Sequence, residues 1–159
     1  MQIRRRRVYI DTSFVSACVN TRTDPKSVYR RDVSREWWNT QRGFFDVFAS
    51  AEVIDELQNP NYPNSKSALA WISDVPLLTV TDEAIGIAQI LIDERLMPQI
   101  MGSDAVHVAI AATQHIDHIL SWNVRHLANP NKRDQLRKVL ARIGIIAPEI
   151  VTPDLLWEK

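Results

Sequence analysis

The sequence predicts an α/β fold, a central and mostly parallel five-stranded sheet sandwiched between two layers of helices. Three observations predict it. Short apolar runs alternate with helical patterns along the chain, as they do where helices cover both faces of a parallel sheet. The composition, 45% hydrophobic and 24% charged with only 4 Gly, is that of a folded chain rather than a disordered or fibrous one. At 159 residues the chain suits a single domain, 1–159, with a substantial core.

The elements follow in order. Strands are expected at "RVYI", "FDVFAS", "PLLTV", "HILSW" and "EIVTP". After the first strand, "DTS" reads as a turn and a helix cap, and "NTRTDPK" as a polar connection. In "SVYRRDVSREWWNTQ", Tyr29, Val33 and Trp37 recur at helical spacing. Helices also fit "AEVIDELQ", "SALAWI" and "DEAIGIAQILIDERL", the last capped by Thr81 with Asp82 and Glu83 in its first turn. "SDAVHVAIAATQH" is apolar nearly all round. The last helix, "PNKRDQLRKVLARI", has Asn129 as cap, Pro130 at its first position, Gly144 beyond its end, and Leu136, Val139, Leu140 and Ile143 as its buried stripe.

Bulk properties exclude several classes. One cysteine, Cys18, permits no internal disulfide and suits a reducing, cytoplasmic setting. No stretch approaches the roughly 20 apolar residues that span a bilayer, and "VYIDTSFVS" after the basic start is too polar for a signal-peptide core. The formal net charge is zero, so a nucleic-acid partner would have to meet a local patch.

In open parallel sheets the ligand crevice lies outside the carboxyl ends of the strands. Asp11 ends the first strand. The helix after the second strand carries Glu52, Asp55 and Glu56; with Val53, Ile54 and Leu57 as its buried stripe and about 100° per residue, Glu56 is the acid best placed to edge inward. Asp104 opens the most apolar helix, where backbone N–H groups stabilise negative charge, although Asp after Ser103 is also an ordinary capping arrangement. The fourth strand ends in "SWNVRHL", which brings Ser121 and Asn123 to the same edge.

Three carboxylates gathered there would repel one another and have raised pKa values unless a cation neutralised them. All-oxygen ligands suit Mg²⁺ or Mn²⁺, whereas zinc favours His and Cys. Thr12 and Ser13 are placed to hydrogen-bond a carboxylate or a bound water.

The ordered set "VYIDTS", "SAEVIDEL", "GSDAVHVAIA" and "LSWNVRHL" resembles the PIN-domain nucleases, specifically the VapC-type toxins of bacterial toxin–antitoxin systems, over residues 8 to about 128. The resemblance implies a PIN-like three-layer sandwich and a Mg²⁺- or Mn²⁺-dependent endoribonuclease with catalytic, metal-holding roles at Asp11, Glu56, Asp104 and Asn123. It also implies an RNA substrate, an antitoxin protein partner and a homodimer. Family members often carry an acid near the fourth position; the neutral Asn123 leaves one-metal and two-metal versions both open. Two other readings stand beside the toxin: an RNA-processing PIN nuclease with no antitoxin, and a catalytically silent RNA-binding or interaction module of the same fold. A phosphatase using Asp11 as nucleophile is disfavoured, because "DTS" lacks a second acid nearby.

Other features carry competing readings. His107, one turn after Asp104, reads as a satisfied core histidine or as a residue positioning a carboxylate. Arg4 to Arg7 form either a phosphate-contacting arm or a polar lead-in to the first strand. Arg125, close to Asn123, is the better candidate for gripping substrate. Trp37 and Trp38 are adjacent and cannot both face the same core; together with Tyr29 and Val33 they read as a groove for a partner helix or, as aromatic residues at helical spacing more often are, as core.

Overall fold

The computed structural model describes residues 4–95, 102–123 and 130–158. Its sheet has five strands, β1 (Arg7–Ile10), β2 (Asp46–Ser50), β3 (Leu77–Leu78), β4 (His118–Leu120) and β5 (Glu149–Val151), in the order β3-β2-β1-β4-β5. Every pairing is parallel. β1 lies in the middle with Val8, Tyr9 and Ile10 fully buried, so the strand nearest the chain's start is the sheet's core. β3 is shorter than "PLLTV" suggests. It is an edge strand with Leu77 half exposed, and a short edge offers little to stray pairing.

Seven helices connect the strands: α1 (Thr12–Val19), α2 (Pro25–Thr40), α3 (Ala51–Leu57), α4 (Ser65–Trp71), α5 (Asp82–Asp93), α6 (Gly102–Thr113) and α7 (Pro130–Arg142). The chain steps from β1 to β2 to β3 in one direction, then returns past β1 to β4 and β5. Because parallel crossovers are right-handed, α1–α4 cover one face and α5–α7 the other. α1 packs on α2 and α4, and α5 packs on α6, in keeping with that division.

Local chemistry sets the helix starts. Asp24, Ser50 and Thr81 each accept the N–H three residues on, capping α2, α3 and α5. Pro25 at the first position starts α2 inside the expected polar connection. The helix cap expected at "DTS" is Asp11, which follows the strand and caps α1 in the same step, accepting the N–H of Phe14. α7 stops at Arg142 and Gly144 takes φ +77, a left-handed turn that glycine adopts without strain. Ile143 therefore falls beyond the helix and is 44% exposed, not part of the buried stripe. Asn129, the expected cap, lies outside the described residues.

For the tryptophans the core reading holds. Trp37 and Trp38 are both buried, because α2 has neighbours on two sides. Trp37 stacks on Phe45 and meets Phe14 edge-on, while Trp38 packs against Trp71 and under Arg42. Neither ring is left to line a partner-helix groove, although Tyr29, the other aromatic of that reading, is 53% exposed. Among the described residues, no helix is long and apolar enough to cross a membrane.

Candidate active site

The order of connections reverses at β1, between β2 on one side and β4 on the other, and a crevice forms at such a switch point beyond the strands' carboxyl ends. Asp11 sits there, 3% exposed. Its Oδ1 accepts from Ser13 Oγ at 2.6 Å and from the Phe14 N–H at 3.0 Å, and its Oδ2 accepts from Ser121 Oγ at 2.5 Å. Burial pushes the Asp11 pKa up, and the nearby His107 charge, the two hydroxyls and the N–H oppose that rise without cancelling it. Thr12 Oγ1, by contrast, is buried without a hydrogen-bond partner among the described residues.

Ser121 also ties the β4 end together. Its Oγ accepts the Asn123 N–H at 3.0 Å, while the Trp122 N–H donates to Ser13 Oγ at 2.9 Å. Asn123 then reaches α6, where its Nδ2 donates to Asp104 Oδ2 at 2.8 Å. Asp104 is buried in the first turn of α6, and its negative charge suits the N–H groups there.

Glu56 is half-buried on α3, further inward than the exposed Asp55, as the helical geometry predicts. It accepts from Nε2–H of His107, which must be the donor because an ionised carboxylate can only accept. The other ring nitrogen of His107 meets the Tyr9 hydroxyl, which pairs with Ser50 Oγ at 2.7 Å. Both readings of His107 thus hold together: it is buried with both nitrogens satisfied, and it fixes a carboxylate. Burial works to lower its pKa, but the bond to Glu56 and the charges of Glu56, Asp11 and Glu52 leave it raised.

Burial is also the main reason Tyr9 and Tyr62 are raised, and Asp11 and Glu56 add to both. Asp11 and Glu56 therefore act on the same few groups. Glu52 acts on Tyr9 and His107 as well, so it stands nearer the cluster than its position on the helix wheel suggested. The sequence ranks Glu52 below Glu56 and gives no role to Tyr9 or Tyr62; the only signal for Tyr9 is its place two residues before Asp11 on the strand.

In kind, these acid oxygens fit a hard divalent cation such as Mg²⁺. Among the described residues, no three His, Cys, Asp or Glu side chains are arranged to hold one, and each acid faces a protein donor instead. Arg125 lies outside the described residues. Arg4 to Arg7 stand at the amino end of β1, away from the acids, and contact Asp117, Asp46, Glu158 and Gln114. That placement supports the lead-in reading over the phosphate arm.

No family model and no curated protein matches the chain. Solved structures do. VapC20 from Mycobacterium tuberculosis, described as a sarcin-ricin loop cleaving toxin, matches with TM-score 0.57 at 16% identity, covering 87% of this chain and 96% of that one. VapBC2 from Rickettsia felis, bound to a DNA fragment from its promoter, matches with TM-score 0.60 at 12% identity, covering 92% and 98%. FitAcB from Neisseria gonorrhoeae matches with TM-score 0.58 at 12% identity, covering 94% and 99%. The fold is thus that of the VapC and FitB PIN-domain toxins over most of the chain.

Proposed function

We propose that this chain is a metal-dependent endoribonuclease that hydrolyses RNA phosphodiester bonds, and that it serves as the toxin of a toxin–antitoxin pair. The observation that supports the reading is a fold shared with a sarcin-ricin loop cleaving toxin, in which the buried Asp11 follows the central strand and is bonded to Ser121 from β4, while Asn123 just beyond β4 is bonded to Asp104. Asp11, Glu56 and Asp104, with the oxygen of Asn123, would hold Mg²⁺ or Mn²⁺. Such an ion, when bound, makes a water more acidic and stabilises charge developing on a phosphate.

The chain's own groups prepare that chemistry. Ser13, Ser121 and the Phe14 N–H fix the Asp11 carboxylate, His107 fixes Glu56, and Asn123 fixes Asp104. Preorganisation of this kind removes reorganisation cost from the reacting state. The antitoxin partner, the homodimer and a cytoplasmic setting belong to the same proposal.

One observation favours a second reading, a catalytically silent RNA-binding or interaction module: each acid is already bonded within the protein. Incubating single-stranded RNA with the protein and Mn²⁺ or Mg²⁺, against EDTA, separates the two. Cleavage that needs the cation and disappears in Asp11→Asn and Asp104→Asn supports the nuclease. Absence of cleavage with either ion, in a folded protein, supports the silent module.

A further inference from the structure

Beside the acids lies a cavity of about 430 Å³ where α1, the start of α2 and the end of β4 meet. Ser13 and Asn123 line it, and these are the residues bonded to Asp11 and Asp104, so the cavity borders the side chains that hold those two acids. Its other walls include Arg22, Arg30, Tyr62 and Trp122, and among the described residues no carboxylate lines it.

Each of these side chains is held. Trp122 is anchored by Nε1–H donating to Ser34 Oγ at 2.7 Å, and Tyr29 meets its ring edge-on. The Arg30 guanidinium lies 5.3 Å over that ring, an arrangement that aims a positive charge at the cavity without burying it. Asn20 fixes the α1–α2 corner by donating to the carbonyls of Ala17 and Ser27 and accepting the Arg22 N–H. The Arg22 side chain is 76% exposed and contacts Asp24 through Nε at 3.2 Å. Tyr62 lies within reach of the Asp11 and Glu56 charges.

We infer that this cavity is a nucleotide subsite for single-stranded RNA, with Arg22 and Arg30 taking a backbone phosphate and Tyr62 the adjoining base or ribose. The inference rests on the ribonuclease reading and names where the strand lies. A polyanion brought towards carboxylates is repelled unless cations meet it, and among the described residues Arg22 and Arg30 are the cations that line this cavity. Guanidinium groups pair with phosphate bidentately, and a partly exposed aromatic ring accepts any base by stacking. The volume falls in the range of about 300–1,000 Å³ usual for small ligands.

The test uses a fluorescein-labelled short single-stranded RNA of mixed sequence, followed by fluorescence anisotropy in EDTA, so that binding is read without cleavage. Arg22→Gln, in an exposed corner, and Arg30→Gln should each weaken binding on the order of fivefold at low salt. Each should also reduce the slope of log K against log salt by about 0.7, the amount expected when one phosphate is no longer neutralised. Arg30→Lys keeps the charge and should retain most of that slope, which separates the phosphate pairing from the packing on Trp122. Unchanged RNA affinity and slope in both glutamine variants overturns the subsite, including when those variants lose affinity for an acidic peptide. Cleavage with Mn²⁺ is scored separately. RNA bound through these arginines but never cut leaves the subsite standing and removes the nuclease; RNA cut by variants that bind it as the parent does removes the subsite and leaves the nuclease.

Discussion

His107 on α6 donates to Glu56 on α3 while its second nitrogen meets Tyr9 on β1, so one buried ring joins a helix from each face to the central strand. The contact is structural and chemical at once. It ties the two helical layers together at the edge where the acids lie, and it decides which way Glu56 points.

Replacing His107 by leucine keeps the apolar volume of α6 but strips Glu56 of its donor and Tyr9 of one partner. Leaving such groups unsatisfied costs about 1–3 kcal/mol each. The denaturation midpoint of His107→Leu should fall accordingly in urea, with the slope unchanged. His107→Gln places an amide N–H near the position of Nε2 and should recover part of the loss. Equal losses in the two variants would show that bulk, and not the bond to Glu56, is what His107 supplies.

Much of this was legible in the sequence. Parallel-sheet patterning alone located five strands, and the carboxyl-edge rule then placed Asp11, Asp104 and Asn123. What remained hidden depended on neighbours. "VYIDTSFVSACV" passes from strand to helix with no glycine or proline between them, so the "DTS" cap signals a helix start but not the eight-residue helix that follows it. A helical wheel shows that Glu56 edges inward, but not that His107, 51 residues on, lies across from it. Adjacent tryptophans point different ways on any helix, and both are buried here because Phe45 covers Trp37, Trp71 covers Trp38 and Phe14 meets both.

At the opposite edge, Asp117 accepts from the Arg7 N–H at 2.8 Å and from Arg4 at 2.9 Å, which joins β1 to the start of β4. Burial works to raise its pKa, but these donors and the charges of Arg4 and His118 outweigh it and hold the carboxyl below its usual 3.8. A depressed folded value means the stabilisation is present above the unfolded pKa and is lost as pH falls through the folded one. Asp117→Asn should therefore be less stable than the parent at neutral pH, by under about 1 kcal/mol because the site is partly open to solvent. The gap should close below the usual carboxylate range in thermal melts run against pH. A gap that stays constant down to that acid range would assign the loss to shape rather than to charge.

Asn123 donates its amide to Asp104 where a carboxylate would face it with like charge. Asn123→Asp removes that donor and sets two acids together, so the protein in EDTA should lose about 1–3 kcal/mol, the cost of an unsatisfied and repelled buried group. If Asp104 belongs to a cation site, the added charge has a second effect. A divalent ion binds the variant more tightly, and each tenfold gain in affinity adds about 1.4 kcal/mol of stabilisation at saturating metal. The rise in melting temperature on adding Mn²⁺ should then be larger for Asn123→Asp than for the parent, reversing part or all of the loss seen in EDTA. Calorimetric titration with Mn²⁺ gives the affinities independently of any cleavage. A variant that melts early in EDTA and is not rescued by Mn²⁺ would place Asp104 outside any metal site, leaving Asn123 as a residue that only neutralises a helix start.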